Sequence, residues 1–575
     1  MRYRVLFLIF ALAIMLPACK RHARPEATAR HIVEQAKDMP AAITDELEDL
    51  VGYAMENNGR ISDSTFLDLP EAVNAFYEQN DYRPVWSDTM TWRPLADSMM
   101  DYLGGSLRDG LFPGDYHFPE LDSLHRSLVD SFQRKDALLW TRAEVLLTDA
   151  FMKVARDLKQ GRLQSDSSSW HHNPKKLETF FLPMFRLLLD SGRLSLVTDS
   201  LQPKYTAYRE LKRAIPAFLK NMDRKEYTYL VFPFNRKDTA DSVRFITALV
   251  KRLREEEIEY YGSGLPDSVT LSNMLLDYQK KKKLTADGRF GAEVVSSLNN
   301  NDLEKLKRIA ITLDKYKQLP DTLPPRYIWV NLPEYKLFLR DHDSLIMESR
   351  IICGKPATPT PLVTSSIYEM IVFPTWTVPE SIIKKEMLPA LKRNPHYLDK
   401  KGMYLLNKKG EKVRADTINW KKYKQGIPFR IQQGSGDDNA LGVFKFNFHN
   451  PYDVYMHDTD QRHLFRNSKR AFSHGCVRVQ EWQRLAAEVL RYDSLFRSSK
   501  DPVSVLPDSI MHLIDKGLHI KIPVKNRIPL FLRYISSSAS EGRVLFLEDI
   551  YGLDRDLRNS FFASKAILPY LKRAL

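Results

Sequence analysis

The stretches Val454-Tyr455-Met456-His457-Asp458-Thr459 and Phe472-Ser473-His474-Gly475-Cys476-Val477-Arg478-Val479 place two histidines close in sequence to one cysteine. A thiol has to lose its proton before it attacks an acyl carbon well. An imidazole can take that proton and later return one to a leaving amine. These residue types therefore indicate a candidate site for nucleophilic catalysis by Cys476.

The spacing predicts different positions for the two histidines. His457 lies 19 residues before Cys476 and can occupy a neighbouring strand that faces the thiol, which suits a general base and acid. His474 is two residues from the cysteine, near it but seldom in line with it. Gly475 allows close backbone approach, so we predict that the amides around Gly475 and Cys476 form an oxyanion hole.

Two other interpretations of the same residues stay open. Cys476 can be a structural cysteine packed beside a histidine. Two histidines and one cysteine can also bind zinc, but no fourth ligand stands at a typical spacing, so we predict no metal and no cofactor. Cys353 lies in the apolar run Ile351-Ile352-Cys353, which is typical of a core position.

Strand-like patterns predominate in the sequence around Cys476. Short strand-like runs separated by turns occupy residues 327–332, 346–352 and 443–448, and a charged stretch at 383–428 interrupts them. We predict a β-rich domain at 326–525 with an inserted lid at 383–428, followed by a C-terminal extension at 526–575.

The chain before the prolines at 320–325 is predicted to be helical. Apolar residues recur at helical spacing before Gly161, at Ala143, Leu147, Ala150, Val154 and Leu158. Helical spacing also flanks an Asp-Gly turn at Asp287-Gly288. We therefore predict a helical domain at 61–240 and a small three-helix unit at 241–305, which gives a multidomain α+β fold.

The N-terminus has the pattern of an export signal. Arg2 and Arg4 precede an apolar run of about a dozen residues, shorter than a membrane-spanning helix, which ends at Leu16-Pro17-Ala18-Cys19. A small residue before a cysteine resembles a bacterial lipobox, so we predict a lipoprotein signal at 1–19 and lipidation of Cys19. An ordinary cleaved signal with an incidental cysteine is the alternative. Residues 20–60 are predicted to be a tether, followed within the segment by one or two loose helices.

The formal net charge of +14 is compatible with nucleic acid, an anionic membrane surface or an acidic polymer as a partner. Apart from Lys280-Lys281-Lys282-Lys283, the basic residues alternate with Asp and Glu, as on an ordinary solvated surface. No nucleic-acid-binding motif is present, so we do not expect a nucleic-acid partner.

A histidine followed after roughly fifteen residues by Ser-His-Gly-Cys-x-Arg resembles the signature of the L,D-transpeptidase catalytic (YkuD-type) domain. Further stretches resemble the large YcbB-type branch of that family: Gly354-Lys355-Pro356 with Thr360-Pro361, Trp376-Thr377-Val378-Pro379, Asn450-Pro451-Tyr452-Asp453 and Asp549-Ile550-Tyr551-Gly552. The region of Phe76 to Trp86 resembles its scaffold domain, and 241–305 resembles a peptidoglycan-binding domain. Residues 432–438 depart from the expected proline-containing loop.

The resemblance implies an acyl-enzyme mechanism. Cys476 attacks the carbonyl of the third stem residue of a donor tetrapeptide, D-Ala leaves with a proton from His457, and a thioester remains. The amine of an acceptor stem resolves the thioester and gives a 3-3 cross-link. Tyr455, Trp376, Ser473 and Arg478 are predicted to bind substrate, with core packing as the alternative for Trp376 and an ion pair for Arg478.

The resemblance also implies partners and a location. We expect peptidoglycan stem peptides as donor and acceptor, the peptidoglycan polymer, contact with a membrane through the lipid, a periplasmic location and acylation by carbapenems. Resolution by water would make the protein an L,D-carboxypeptidase, and an acceptor amine on a protein would make it an anchoring enzyme. A wall-binding scaffold without catalysis is the alternative from a different class.

Overall fold

The described part of the chain, residues 30–163, 177–342, 344–497 and 505–575 of the computed structural model, is built around five hydrophobic cores. The predicted lipoprotein signal and Cys19 lie outside these residues. Within them, no helix is both long enough and apolar enough to cross a membrane. The helices precede a β-rich domain, so the predicted multidomain α+β fold is confirmed.

The first core is helical and centred on the longest helix, α5. Most side chains of α5 are buried, Asp136 caps its start by accepting from the Leu138 N–H, and Gly161 ends it with a φ of 74°. A short hairpin, β1 (Ser87–Asp88) and β2 (Thr91–Trp92), lies between α2 and α3. The helices of this core are α1 (Met39–Glu56), α2 (Pro70–Gln79), α3 (Pro94–Gly105), α4 (Phe118–Ser127), α5 (Ala137–Gln160), α6 (Leu177–Ser191) and α7 (Leu194–Leu201).

The segment 20–60, predicted as a tether with one or two loose helices, holds a helix that belongs to the first core, which corrects the predicted start of the helical domain at 61. Residues 39–56 form helix α1, which packs on α5 and α2. Met39, Ile43, Leu47 and Val51 follow helical spacing and are buried in the first core. Because these side chains are buried with those of α5 and α2, the helical domain begins before residue 61.

A buried carboxylate holds the segment between α2 and the hairpin. Glu144, on α5, is 1% exposed and accepts hydrogen bonds from the backbone N–H groups of Val85, Trp86 and Ser87 at 2.7–3.2 Å. The Ser87 hydroxyl donates to it at 2.7 Å. Burial raises the pKa of Glu144, and these bonds act in the opposite direction.

Replacing Glu144 with alanine should destabilise the helical domain by about 4 kcal/mol, because three buried N–H groups lose their acceptor. The Glu144→Gln change should cost less, since one oxygen can still accept. Urea unfolding followed by tryptophan fluorescence measures the effect, because Trp86 and Trp140 lie in this core. The exposed Glu71→Gln is the control. An unchanged midpoint for Glu144→Ala would contradict this account.

Three further helices form a separate small core. α9 (Thr239–Glu255), α10 (Ser268–Lys281) and α11 (Ala292–Leu298) pack around Tyr278, Leu275 and Leu298, joined by Leu230 from the preceding segment. The neighbouring helices α8 (Thr206–Asn221) and α12 (Asp302–Lys317) belong to a different core, which they share with the C-terminal segment.

The β-rich domain is a sheet that closes on itself. The strands run in the order β11-β12-β14-β5-β4-β3-β16-β6, and β6 pairs again with β11, so the sheet forms a barrel. β15 pairs with β6, β13 pairs with β5, and α15 (Trp482–Leu495) and α16 (Ile510–Asp515) follow β14. The strands are β3 (Arg326–Asn331), β4 (Lys336–Asp341), β5 (Ser344–Gly354), β6 (Val363–Val372), β11 (Phe444–Phe448), β12 (Met456–His457), β13 (Ala471–Ser473), β14 (Val477–Val479), β15 (Ile520–Pro523) and β16 (Pro529–Arg533).

The predicted boundary at 525 between the β-rich domain and a C-terminal extension is wrong, because residues after 525 complete the barrel sheet. β16 lies between β3 and β6 inside the barrel sheet. The remainder forms β17 (Ser537–Ser540), β18 (Arg543–Phe546), α17 (Leu553–Leu557) and α18 (Leu568–Ala574). α18 packs on α3, and Arg573 pairs with Asp122 at 2.6 Å, so the end of the chain joins the barrel to the helices.

The charged insertion has its own sheet and core. Its strands are ordered β7-β10-β8-β9 and are joined by α13 (Glu380–Ile382) and α14 (Leu388–Arg393). The strands β7 (Trp376–Thr377), β8 (Met403–Leu406), β9 (Lys412–Val413) and β10 (Arg430–Gln433) are too short for a clear alternating pattern. The unit spans 376–433 and so begins before the predicted 383.

Candidate active site

Cys476 lies in a tight turn between β13 and β14. The Ser473 hydroxyl donates to the Cys476 carbonyl oxygen at 2.6 Å and accepts from the Gly475 N–H at 3.1 Å, which closes the turn. Gly475 has a φ of 124°, a conformation that favours glycine. The turn therefore accounts for a serine at 473, whose hydroxyl closes it, and for a glycine at 475, whose φ is positive.

Two predicted roles change with this geometry. Ser473 is 3% exposed and its hydroxyl is used inside the turn, so it is a turn residue here and not a substrate contact. The Gly475 N–H already donates to Ser473, so the turn occupies the predicted oxyanion-hole donor. In the described part of the chain, the N–H of Cys476 has no hydrogen-bond acceptor.

The neighbouring strand brings Tyr455 and His457 to the face of Cys476. β12 runs parallel to β14 with Met456 beside Val477, and both of these side chains are buried in the barrel core. Because strand side chains alternate, Tyr455, His457 and Cys476 lie on the opposite, outer face. Arg478 shares that face, beside His457 in the register.

Burial and hydrogen bonding act in opposite directions on the Cys476 thiol. Burial raises its pKa above the ordinary value, while bonds from the backbone and hydroxyl of Tyr455 lower it. The positive charges of Lys445 and Arg478 also lower it. The net direction is upward, so the resting group is a thiol at neutral pH.

His457 is buried and neutral. Its side chain is 4% exposed in total, and Nδ1 has no hydrogen-bond partner among the described residues. Burial, followed by the nearby charge of Arg478, lowers the pKa of His457 to about 3. The site therefore holds a thiol and a neutral imidazole, not a thiolate–imidazolium pair.

Lys445 is a functional candidate that the sequence analysis missed. It lies on β11 directly opposite His457, and its Nζ is 3.9 Å from the centre of the Tyr455 ring. Burial lowers the pKa of Lys445, and the nearby Cys476 acts in the opposite direction. A lysine between two core phenylalanines, Phe444 and Phe446, was the available signal.

His474 contacts the insertion through Glu386. Its Nε2 lies 2.6 Å from Glu386 Oε1 and 3.4 Å from Lys355 Nζ. Both His474 and Glu386 are partly exposed, so the pair is screened by water. This contact joins the cysteine turn to the insertion that covers the site.

The other two predicted substrate residues lie at the edges of the site. Trp376, at the start of the insertion, lies close enough to the Tyr455 hydroxyl to lower its pKa, against the larger effect of burial, which raises it. Arg478 donates from Nη1 to Gln461 at 3.1 Å, and its buried Nε has no partner in the described part of the chain. Both side chains therefore flank the face that holds Cys476.

One group of side chains with metal-binding atoms lies in the helical domain, far from this site in sequence. Asp68, His117 and Asp149 have their ligand atoms within 4.8 Å of one another. Lys153 pairs with Asp68 at 2.5 Å, and the Asp149 carboxylate accepts from the N–H groups of residues 68 and 69. Protein groups thus already occupy these carboxylates, so we assign no metal to them.

Comparison with known families assigns two parts of the chain. Residues 325–505 match the L,D-transpeptidase catalytic domain, and residues 71–215 match the Scaffold domain. A Haemophilus influenzae protein named "Putative L,D-transpeptidase" is 30% identical over 311 residues. That match covers 53% of this chain and spans 60% of the relative's length.

Solved structures of L,D-transpeptidases also resemble parts of the chain. The catalytic domain of the E. faecium enzyme acylated by ertapenem is 13% identical, with 37% of this chain and 99% of that chain covered and a TM-score of 0.17. A Mycobacterium smegmatis enzyme is 11% identical, with 36% and 58% covered and a TM-score of 0.17. Scores this low carry no argument about the site. The family models thus place the candidate cysteine site in a region that matches the L,D-transpeptidase catalytic domain, with a region that matches the Scaffold domain before it in the chain.

Proposed function

We propose that the protein is a cysteine-dependent L,D-transpeptidase that forms 3-3 cross-links between peptidoglycan stem peptides. The arrangement of Tyr455, His457 and Cys476 supports this proposal. The backbone and hydroxyl of Tyr455 lower the pKa of the Cys476 thiol, and His457 lies on the same barrel face with a ring nitrogen, Nδ1, that has no partner among the described residues. A thiol, a neutral base and a nearby cation are the groups that acyl transfer through a thioester needs.

The first half-reaction forms the thioester. Cys476 Sγ attacks the carbonyl carbon of the third stem residue, and the thiol proton passes to His457, whose Nδ1 is the available acceptor. The bond to D-Ala then breaks, and the imidazolium returns the proton to the leaving amine. An acceptor amine reverses these proton transfers when it resolves the thioester, so His457 serves as base and acid in both halves.

Charge stabilisation comes from the cysteine itself and from Lys445. Of the two predicted oxyanion-hole amides, our proposal keeps the Cys476 N–H, which has no acceptor among the described residues, because the Gly475 N–H donates to Ser473. The Lys445 ammonium lies over the Tyr455 ring and favours negative charge at sulfur and at the carbonyl oxygen. Both groups are held by the strands and need little reorganisation during the reaction.

The insertion is proposed to act as a lid over the acceptor side of the site. It covers the outer face of the barrel through Trp376, which contacts Tyr455, and through Glu386, which contacts His474. Closing the site removes water, which would otherwise resolve the thioester and produce a carboxypeptidase. His474 is thus proposed to position the lid and the cysteine turn.

The remaining parts of the chain suit an enzyme of the cell wall. The three-helix unit at 239–298 is proposed to bind the peptidoglycan polymer and raise the local substrate concentration. The proposed location is the periplasm, with a lipid on Cys19 as the membrane anchor. A globomycin-sensitive mobility shift that disappears in Cys19→Ala tests the anchor.

The activity is tested by incubating purified protein with disaccharide tetrapeptide and identifying products by mass spectrometry. A dimer that has lost one D-Ala, absent with Cys476→Ala, supports transpeptidation. Tripeptide alone supports the L,D-carboxypeptidase alternative. No turnover by either protein contradicts catalysis on this substrate and favours a wall-binding scaffold.

The resting protonation states predict two different pH profiles. Alkylation of Cys476 by iodoacetamide should accelerate about tenfold per unit between pH 6 and 8.5, because burial raises the pKa of the thiol. Thioester formation should change less than about threefold between pH 5 and 8. The imidazole remains neutral there, since the pKa of His457 is about 3 and protonation sets in only below that range.

An alkylation plateau below pH 7 would contradict this description, because it would show a preformed thiolate. A loss of thioester formation between pH 7 and 5 would equally show that His457 titrates in its ordinary range. The Cys476→Ala protein gives the background from Cys353, which is fully buried.

A further inference from the structure

Two sequence motifs that the proposed chemistry does not use lie in contact beside the cysteine turn. One is Asp549-Ile550-Tyr551-Gly552, just before α17, and the other is the loop 354–361 that follows β5. Tyr551 joins them. Its hydroxyl donates to the Gly354 carbonyl at 2.8 Å and accepts from the Thr360 N–H at 3.2 Å.

The loop is tightly folded around these contacts. A Cβ atom on Gly354 would lie 2.2 Å from the Thr358 carbonyl oxygen and 2.8 Å from the Thr360 nitrogen, so only glycine fits. The Gly354 N–H donates to the Thr360 hydroxyl at 2.9 Å. Tyr551 therefore bonds to both ends of a compact turn and keeps it closed.

The loop in turn supports the residues on either side of His474. The Thr360 hydroxyl, buried at 2% exposure of the residue, donates to the Gly475 carbonyl at 2.8 Å. The Lys355 N–H donates to the Ser473 carbonyl at 2.9 Å, and the Thr358 hydroxyl donates to the same oxygen at 3.3 Å. Two carbonyl groups of the cysteine turn are thus held by this loop.

Tyr551 is itself fixed by the C-terminal segment. Its ring stacks on Tyr534, with ring centres 5.6 Å apart, and its N–H donates to the Tyr534 hydroxyl at 3.0 Å. The Tyr534 hydroxyl donates to Asp549 at 2.6 Å, and Asp549 also accepts from the Arg555 N–H at 2.9 Å. Tyr534 directly follows β16, so the chain of bonds begins in the barrel sheet.

We infer that Tyr551 and Thr360 are positioning residues, which hold the Gly475–Cys476 peptide so that the Cys476 N–H faces the developing oxyanion. The Gly475 carbonyl and the Cys476 N–H belong to the same peptide plane. Anchoring the carbonyl on Thr360 therefore sets the direction of the N–H. This inference rests on the proposed function, because it needs an oxyanion at that place.

The test uses Tyr551→Phe, Thr360→Val and Thr360→Ser in the purified protein, with Thr206→Val, an exposed threonine at the start of α8, as the matched control. Tyr551→Phe and Thr360→Val should each lower the rate constant of thioester formation about tenfold with little change in KM. Thr360→Ser should keep most of the rate. The double variant should lose little more than either single one, because both act through the same peptide.

Two further measurements separate positioning from simple loss of structure. The iodoacetamide pH profile of Cys476 should remain unchanged, since Tyr455 and Lys445 still surround the sulfur. Amide hydrogen exchange should accelerate in peptides covering 354–361 and 473–477 in Tyr551→Phe, whether or not the wild type is active. Unchanged exchange at 473–477, or a wild-type rate in both single variants of an active enzyme, would overturn the inference.

Discussion

Replacing His457 with alanine should slow thioester formation at pH 7.5 by about 10³-fold, because the buried thiol then has no base to take its proton. The thiol cannot compensate by ionising on its own, since burial raises the pKa of Cys476. His457→Gln should be equally slow, because an amide fills the space without accepting the proton. Acylation is measured by intact-protein mass spectrometry with substrate in excess.

The control for this variant is His449→Ala, an exposed histidine next to β11 that stacks on Tyr368 outside the site. It should keep the wild-type rate. Imidazole added to His457→Ala should restore part of the activity, because the alanine leaves a ring-sized space. A His457→Ala enzyme that retains a third of the rate would assign the base role to another group.

Replacing Lys445 with methionine should lower the rate of thioester formation by about 10²-fold, the usual cost of removing a preorganised charge from such a site. Lys445 lies beside Tyr455 and opposite His457, and its charge lowers the pKa of Cys476. Alkylation by iodoacetamide at pH 8 should therefore slow about tenfold in the same variant.

The charge-retaining Lys445→Arg should keep more of both rates than Lys445→Met, and Lys516→Met on the exposed surface should change neither. Methionine is close to lysine in length, so the comparison isolates the charge from packing on Tyr455. If Lys445→Met slows acyl transfer but leaves alkylation unchanged, Lys445 acts on the substrate and not on the thiol.

The helices and strands that could be predicted were those with long, regular apolar patterns. Helix α5 and the strands β3, β5 and β11 agree with the predicted spacing. Helix α1 was expected only as one of the loose helices after the tether, because the sequence does not show that its apolar stripe packs on α5 and α2. The sheet of the insertion was missed because its strands have two to four residues, too few to show alternation.

The predicted site agrees in part with the observed geometry. His457, Tyr455 and Cys476 share one face because β12 and β14 are neighbours in the barrel. His474 instead contacts the insertion, and Ser473 and Gly475 close the turn with each other. The bond from Gly475 to Ser473 depends on the local conformation of the turn. The contact between His474 and Glu386, which are 88 residues apart, depends on how the insertion packs on the barrel. Residue type alone specifies neither.

The sequence by itself determined the α+β class, the resemblance to the L,D-transpeptidase catalytic domain and the choice of Cys476 and His457 as candidates. These depend on residue types and spacing within one or two elements. Only the tertiary structure decided that Lys445 lies opposite His457, that the Gly475 N–H is used by Ser473 and that Tyr551 bonds to the loop that supports the cysteine turn. These contacts depend on strand register or join loops that are far apart in the chain. The packing of the closed barrel determines them, and local sequence preference does not.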